Sequence, residues 1–459
     1  MTVASDIAIS HSRHPHVRYG AERKLFRLRG KVTNRSHSVD SAAGWVVVAA
    51  TAISTFAVFG VVYSFGAVFT AIRDEFGVGK GQAALFFSIT TFIYFILGVF
   101  TGRLADRYGP RPVLLVGAVA MGAGLFFTSL VNNIIVGYLT YGIGAGIGVG
   151  CAYVPMVAAV GGWFERDRTK AMGVAVAGIG VGTLVGAPLA KQLVLSYGWR
   201  TTFVVLGIGS AALLALASLG ARRPPTASAQ EAPPPPLKLL LRDHRFTWLY
   251  TSMTFLSAGL FVPMIYLDDY LEAQGKTGGA LLIGIIGATS VVGRLALGAV
   301  GAKVDLMGLY QSCVAALGAS YVIWIFAGAN YTMLVIFAVC MGTAYGGWIA
   351  LSPAVTAYLF GPVGLGGVLG ALYTSAGIGG LVGPPVIGVV IDSTNYETAI
   401  GLAIVFSAIS LVLLRTATRA SAPTTADAVE SDDDVQPTGA AASAWLVPSP
   451  QGGMRLIRR

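Results

Sequence analysis

Charged residues are scarce in this chain. Of its 459 residues only 11% are Asp, Glu, Lys or Arg, whereas 55% are hydrophobic, and the mean hydropathy is +0.71. A water-soluble globular protein carries about 25% charged residues. The composition therefore excludes a soluble globule and predicts a polytopic membrane protein.

Cysteine and histidine, two common metal ligands, are also few. The three cysteines (Cys151, Cys313 and Cys340) lie in apolar stretches and lack the spacing of a zinc site or a disulfide framework. All five histidines lie outside the apolar runs, which removes the usual proton carrier inside a membrane. Neither a nucleophile with a base nor a strict dinucleotide-binding glycine motif is present. We therefore expect no enzyme, no metal, no cofactor and no nucleic-acid partner.

Long apolar runs are abundant. About 20 residues of helix cross a hydrocarbon core. The linker 221–246 is too polar and proline-rich to span. The sequence predicts an all-α membrane protein with twelve transmembrane helices in two six-helix halves, 44–220 and 247–414, joined by a cytoplasmic linker. The predicted spans are 44–72, 83–104, 112–130, 134–160, 170–194, 201–220, 247–270, 279–302, 309–327, 331–359, 366–390 and 398–414.

The polar segments predict the orientation. Residues 1–43 hold eight Lys and Arg against three acids, which suits a basic tail beside anionic membrane lipids, and residues 415–459 are of low complexity and predicted to be disordered. The turns near 103–111 and 166–170 and the linker are also basic. The positive-inside rule then places both termini in the cytoplasm of a multi-pass protein, which we assign to the cell membrane.

The two halves echo each other. AGIGVGTLVGAP ends at Pro188 and AGIGGLVGPP at Pro385, an offset of 385 − 188 = 197. Pro155 and Pro353 differ by 353 − 155 = 198, and Gly102 and Gly298 by 298 − 102 = 196. Near-constant offsets indicate a duplication, and internal repeats around a central site are typical of alternating-access carriers.

Glycines recur every four residues in two spans. They are Gly142, Gly146 and Gly150 in one run and Gly178, Gly182 and Gly186 in the next. Each set forms a smooth stripe on one helix face, which predicts close helix–helix approach.

One arginine, Arg294, interrupts the apolar run between Gly278 and Lys303. A charge at mid-membrane costs roughly 2.5–3.5 kcal/mol on insertion scales, so it normally faces a bundle interior, a cavity or a partner. Two interpretations follow. Arg294 receives an anionic substrate, or its side chain snorkels to the surface or caps backbone carbonyls without binding substrate.

The stretch GRLADRYGPR, from Gly102 to Arg111, resembles the signature loop of the major facilitator superfamily. Two glycines permit a tight turn, and Asp106 can face a helix amino terminus or pair with Arg107 and Arg111. The resemblance implies that this loop steadies one conformation and binds no substrate. We therefore assign Gly102, Asp106, Arg107 and Arg111 as gating residues.

A second resemblance indicates one branch of this superfamily. WFERDRTKAMGVAVAGIGVG, from Trp163 to Gly182, is similar to the loop and fifth helix of monocarboxylate transporters, which are related to oxalate/formate exchangers. In those proteins an arginine in the eighth helix receives the substrate carboxylate, and Arg294 is at the matching place. A guanidinium can bind both carboxylate oxygens through its planar fork.

The chain departs from this pattern in two places. Ser290 stands where vertebrate members carry an aspartate, and Ala376 stands where oxalate exchangers carry a lysine. Proton coupling is therefore an open question, and one buried cation suits a monoanion better than a dianion.

Other polar residues in the spans are further candidates. A tyrosine hydroxyl can donate a hydrogen bond to a carboxylate, although tyrosines also pack between helices and at membrane interfaces. Asp268 and Asp269 are proton-coupling candidates, or else they face water outside. With Arg294, the candidate substrate-binding residues are Ser290, Tyr63, Tyr138, Tyr141, Tyr345 and Tyr373.

We predict a secondary carrier that moves a small monocarboxylate resembling lactate or pyruvate by alternating access, with or without a proton. The alternatives are an organic-anion exchanger, a drug efflux carrier and a membrane sensor with a transporter fold. The sequence leaves the acid, the direction of transport and the oligomeric state open.

Overall fold

The structure is a computed structural model, and it describes residues 39–225, 237–240, 242–301, 303–361, 365–419, 446–448 and 454–456. Most of the predicted basic tail, part of the predicted linker and most of the predicted carboxy-terminal tail lie outside the described residues. Two groups of helices, one on each side of the linker, make up the membrane-embedded part.

The amino-terminal set contains seven α-helices and one π-helical segment. The π-helix, Tyr138–Ile143, lies between α5 and α6. The helices are α1 (Ala42–Val62), α2 (Phe65–Phe76), α3 (Lys80–Tyr108), α4 (Pro110–Ser129), α5 (Ile134–Gly137), α6 (Gly144–Trp163) and α7 (Arg168–Gly220).

The short helix α8 (Leu237–Leu240) follows, and the carboxy-terminal set then runs from α9 to α15. Two short antiparallel strands, β1 (Leu446–Pro448) and β2 (Met454–Leu456), occur within the predicted tail. The helices of the carboxy-terminal set are α9 (His244–Leu260), α10 (Val262–Ala273), α11 (Gly279–Val300), α12 (Leu306–Ala327), α13 (Tyr331–Phe360), α14 (Leu365–Ser393) and α15 (Tyr396–Arg419).

Within the described residues, eleven helical stretches are long and apolar enough to cross a membrane. The predicted membrane protein built from helices is therefore confirmed. One of the eleven is α7, which has 53 residues and would be about 80 Å long if straight, against a hydrocarbon core of about 30 Å. Gly198 lies inside it with φ 79° and ψ 164°, values outside the helical region.

Two breaks between helices are separated by the same offset as the duplicated sequence motifs. The first apolar stretch is interrupted at Tyr63 and Ser64, between α1 and α2, and a later one at Phe261, between α9 and α10. The offset is 261 − 63 = 198, the value that separates Pro155 from Pro353. The breaks and the prolines therefore share the same spacing along the sequence.

The glycine stripes pack as the four-residue spacing predicts. A Cβ on Gly182 would lie 3.0 Å from the carbonyl carbon of Phe56 in α1 and closer still to its oxygen, and Gly178 and Gly186 meet the same helix. A Cβ on Gly146 would likewise lie 2.6 Å from Cγ2 of Ile93 in α3. These contacts fix α1 and α3 closely against their neighbours, so the amino-terminal set is well packed.

Candidate functional site

A small cavity lies between the two sets of helices. Its open volume is about 40 Å³, enough for about three water molecules. Nine of its fifteen lining residues are aromatic, so the walls offer ring faces and phenol hydroxyls. The residues that line it are Phe59, Tyr63, Tyr94, Phe95, Tyr153, Ile179, Met253, Ser257, Leu260, Phe261, Tyr345, Trp348, Ile349, Tyr373 and Ala376.

Arg294 of α11 lies behind this lining. The residue is 5% exposed, so the structure does not support snorkelling to the surface. Its Nη1 donates a hydrogen bond to the carbonyl oxygen of Val176 in α7 at 2.9 Å, and its guanidinium carbon lies 5.6 Å from the ring centre of Tyr345. The Nε and Nη2 atoms have no hydrogen-bond partner among the described residues. Two donors of a buried cation are therefore unused beside the cavity.

Three of the candidate tyrosines line the cavity. Tyr63 and Tyr345 come from different sets, and their hydroxyl oxygens lie 3.0 Å apart. Tyr373 lines the cavity from α14, and Ala376, three residues on, does so too. The structure thus brings Tyr63, Tyr345 and Tyr373 to one cavity, and Tyr345 lies beside Arg294. The position where oxalate exchangers carry a lysine also faces this space.

The structure does not bring the other three candidates to the cavity. The Ser290 hydroxyl donates to the carbonyl oxygen of Gly287 in its own helix at 2.7 Å. Tyr138 donates to the carbonyl oxygen of Gln82 at 2.9 Å. Tyr141 is fully buried among phenylalanines, and its hydroxyl has no partner in the part of the chain that is described. Packing and backbone contacts account for the positions of all three.

The gating motif lies where α3 ends and α4 begins. Gly109 has φ 93°, which suits glycine at this tight turn. The Arg107 carbonyl accepts a hydrogen bond from Nη2 of Arg223 at 2.5 Å, and Asp106 and Arg111 are exposed. The expected pairing of Asp106 with Arg107 or Arg111 is absent from the ion pairs of the described residues, and all three residues are exposed. Gly102, one turn earlier in α3, faces Val154.

Asp268 and Asp269 of α10 are 2% exposed each, so the interpretation that they face water is wrong. Asp269 pairs with Arg73 at 2.7 Å and with Lys80, and Asp268 lies 2.7 Å from Nζ of Lys191. Lys191 also pairs with Glu272. We call these six residues, Arg73, Lys80, Lys191, Asp268, Asp269 and Glu272, the ion-pair cluster. It lies at the end of the bundle that carries the turn 77–79.

The basic members of the ion-pair cluster were not among the sequence candidates. One of them gave a usable signal, since Lys191 stands inside the predicted span 170–194 as Arg294 stands inside 279–302. Arg73 and Lys80 lie at span ends, where a cation is unremarkable. Their partners cannot be read from spacing, because they are 196 and 189 residues away.

Sequence comparison finds transporters. A model of the Major Facilitator Superfamily matches residues 51–319 and 309–451. Monocarboxylate transporter 3 of Rattus norvegicus is 30% identical over 383 residues, covering 79% of this chain and 77% of that protein. Monocarboxylate transporter 13 of Rattus norvegicus is 28% identical, with 80% and 87% covered. An aspyridones efflux protein of Emericella nidulans is 28% identical, with 76% and 72% covered.

Structural comparison finds the same fold. A bacterial homologue of the human lysosomal transporter Spinster, in an inward-facing and unoccupied conformation, aligns with a TM-score of 0.65 at 16% identity. The alignment covers 83% of this chain and 98% of that one. Its inward-facing and occupied form aligns with a TM-score of 0.62.

Proposed function

Because this chain belongs to the major facilitator superfamily, as a monocarboxylate-transporter-like member, we propose that it is a secondary active transporter of a small monocarboxylate. The observation that carries the proposal is the pair of unused Arg294 donors, Nε and Nη2, behind a cavity lined by tyrosines. Burial strengthens the attraction of this cation for a carboxylate. The proposed substrate resembles lactate or pyruvate, and the narrow cavity favours a small acid.

The proposed architecture is twelve spans in two halves of six, 44–220 and 247–414. The non-helical Gly198 supports a division of α7 into two spans, because a straight helix of that length would exceed the membrane more than twofold. The basic turns support a cytoplasmic location for both termini, in the cell membrane. In this orientation the ion-pair cluster is on the outside and the gating motif with Asp106 on the inside.

The proposed mechanism is rocking of the two halves about the central cavity. Contacts between the sets support it, since Arg294 bonds to Val176 and Tyr345 to Tyr63 across the dividing plane. The substrate carboxylate would accept hydrogen bonds from Nε and Nη2 in a bidentate manner, while the phenols donate to the hydroxyl or keto oxygen of the acid. In this orientation the ion pairs of the cluster close the outer side, and the Asp106 motif makes no ion pair among the described residues.

The experiment is uptake of labelled pyruvate into proteoliposomes. Arg294→Lys keeps the charge but loses the fork, so one charge-assisted bond is lost and the affinity should fall about 10- to 100-fold. Arg294→Ala should abolish uptake. Lys170→Ala is the control, because its side chain is exposed and pairs with Asp167 beside it. Normal uptake by Arg294→Ala would remove this residue from the substrate site.

Coupling is tested in the same vesicles. An inward proton gradient that accelerates pyruvate uptake would identify symport, whereas acceleration by internal pyruvate alone would identify exchange. A membrane sensor would give neither. A second candidate function, drug efflux, is supported by the similarity to the aspyridones efflux protein. It predicts that larger acids compete with pyruvate for the Arg294 site.

A further inference from the structure

Ser257 of α9 carries a buried hydroxyl that the protein does not use. The residue is 0% exposed and lines the cavity, and its Oγ has no hydrogen-bond partner among the described residues. Buried polar groups in folded proteins nearly always have a partner, because an unsatisfied one is unfavourable. The position of this hydroxyl therefore indicates a partner that occupies the cavity.

Other serines in the carboxy-terminal set bond to their own helices. A serine inside a helix commonly donates to the carbonyl oxygen three or four residues earlier. Ser290 donates to Gly287 at 2.7 Å, and Ser375 donates to Leu372 at 2.5 Å. Ser257 makes no such bond. Its donor and its lone pairs are thus all available to a molecule in the cavity.

Two glycines of α14 hold this part of α9 in place. A Cβ on Gly379 would lie 2.3 Å from the carbonyl oxygen of Thr254 and 3.0 Å from Cβ of Ser257. A Cβ on Gly383 would lie 2.2 Å from the carbonyl oxygen of Ala258. Glycines let the two helix backbones approach closely here. The serine is therefore carried by a tightly packed helix, which suits a group that recognises a small molecule.

The sequence repeat places an aromatic ring at the position equivalent to Ser257. With the offset that relates the breaks at Tyr63 and Phe261, the counterpart is residue 257 − 198 = 59, a phenylalanine. Both Phe59 and Ser257 line the cavity. Equivalent places of the two sets thus offer an apolar wall and a hydrogen-bonding wall, so a molecule in the cavity meets two different surfaces.

Arg294 and Ser257 offer two kinds of contact to one small acid. The guanidinium has two unused donors, which suit a carboxylate. A serine hydroxyl can donate to a keto oxygen or accept from a hydroxyl, whereas a methylene group offers it nothing. Tyr345 connects the two residues, because its ring lies beside Arg294 and it lines the cavity with Ser257.

We propose that Ser257 is a specificity-determining residue, which forms a hydrogen bond with an oxygen on the carbon next to the substrate carboxylate. The inference rests on the proposed function and narrows its substrate class to 2-hydroxy and 2-keto acids. Propionate has the carbon skeleton of lactate and pyruvate without that oxygen, so it leaves the serine unsatisfied. A keto oxygen has two lone pairs and accepts from Ser257 and from a cavity phenol together.

The experiment is calorimetric titration of the purified full-length protein with pyruvate and with propionate. The parent protein should bind pyruvate about tenfold more tightly, the equivalent of one hydrogen bond. Ser257→Ala removes only the hydroxyl. It should lower the affinity for pyruvate about tenfold and leave that for propionate unchanged, because propionate never used this group. The ratio of the two affinities separates recognition from a general structural effect, which would weaken both acids.

The matched control is Ser88→Ala. Ser88 of α3 is also 0% exposed, and its hydroxyl has no partner in the part of the chain that is described, but it is not among the residues that line the cavity. Its loss should leave the ratio of the two affinities unchanged. The proposal is overturned if Ser257→Ala lowers both affinities equally or changes neither, or if Ser88→Ala changes the ratio as much.

A second variant decides the result if Ser257→Ala fails to fold, which a size-exclusion profile identifies. Ser257→Cys keeps a side chain of similar shape with a much weaker donor. It should reduce the preference for pyruvate in the same direction. An unchanged preference in this variant would overturn the proposal.

The outcome is separable from that of the transport experiment. A preference for pyruvate that depends on Ser257, in a protein that gives no uptake, would preserve the role of the serine and refute the carrier. Arg294-dependent uptake that treats pyruvate and propionate alike would preserve the carrier and refute the role of the serine. A protein that binds neither acid would refute both.

Discussion

A methyl group at Gly81 should wedge the outer face open. Gly81 lies in the first turn of α3, where a Cβ would lie 2.7 Å from the carbonyl oxygen of Pro385 and 2.7 Å from Cγ2 of Val389 in α14. An ordinary contact needs about 3.4 Å, so the two helices must separate by roughly 0.7 Å at this point. Pro385 contributes backbone, which no rotamer change can move. Overpacking of this kind costs about 1–3 kcal/mol.

This cost applies only while the two sets are in contact. Gly81→Ala should therefore shift the equilibrium toward the outward-facing state by about 5- to 150-fold, given 1.4 kcal/mol for each factor of ten. Spin labels at Ser196→Cys and Lys276→Cys, both exposed and in different sets, measure the opening as a longer distance. The control is Gly209→Ala, because a Cβ there meets nothing within 4 Å. An unchanged distance distribution in Gly81→Ala, or an equal change in both variants, would refute the reasoning.

Two further predictions concern the cavity and the gating motif. Tyr345→Phe removes the hydroxyl that lies 3.0 Å from that of Tyr63 but keeps the ring beside Arg294. We expect the KM for pyruvate to rise several-fold, which corresponds to the loss of about one hydrogen bond, and an unchanged KM would exclude a role for this phenol in binding. Asp106→Asn should change the maximum rate of uptake more than KM, because the motif is exposed and away from the cavity lining; an effect confined to KM would contradict its assignment as a gating residue.

Much of the fold can be predicted from the sequence, because a membrane imposes one simple requirement. Every spanning segment must be apolar and satisfy its own backbone hydrogen bonds, so helices appear as long runs. The repeated prolines and glycines indicate a duplication, and the breaks at Tyr63 and Phe261 have a similar offset. The junction at Gly198 is less obvious in the structure, where α7 continues as helix on both sides of one non-helical residue.

The site was predictable in part. Arg294 stands out because its surroundings are apolar, but the direction of each tyrosine depends on the rotation of its helix. Tyr141 and Tyr153 share one predicted span and are 12 residues apart, which is about 3.3 turns and thus about a third of a turn out of phase. The π-helix Tyr138–Ile143 changes the phase further. Tyr153 consequently lines the cavity and Tyr141 does not.

Ion pairs between distant helices were the least predictable feature. Asp268 and Asp269 follow an apolar run, a pattern typical of a helix end in water. Only the packing of α10 against the other set shows that they are buried with cations. No local pattern carries that information.

Arg294 has no charged counterpart at the equivalent position of the amino-terminal set. With the offset that relates Gly298 to Gly102, the counterpart of Arg294 is residue 294 − 196 = 98, a glycine. A Cβ at Gly98 would lie 2.7 Å from Cγ2 of Val154, so the neighbouring valine already fills the space that a long side chain would need. The repeated sequence thus has the arginine in the carboxy-terminal set and a glycine at the equivalent position of the amino-terminal set. If the proposed rocking mechanism holds, an anion bound to Arg294 would move with the carboxy-terminal set while the amino-terminal set moves past it.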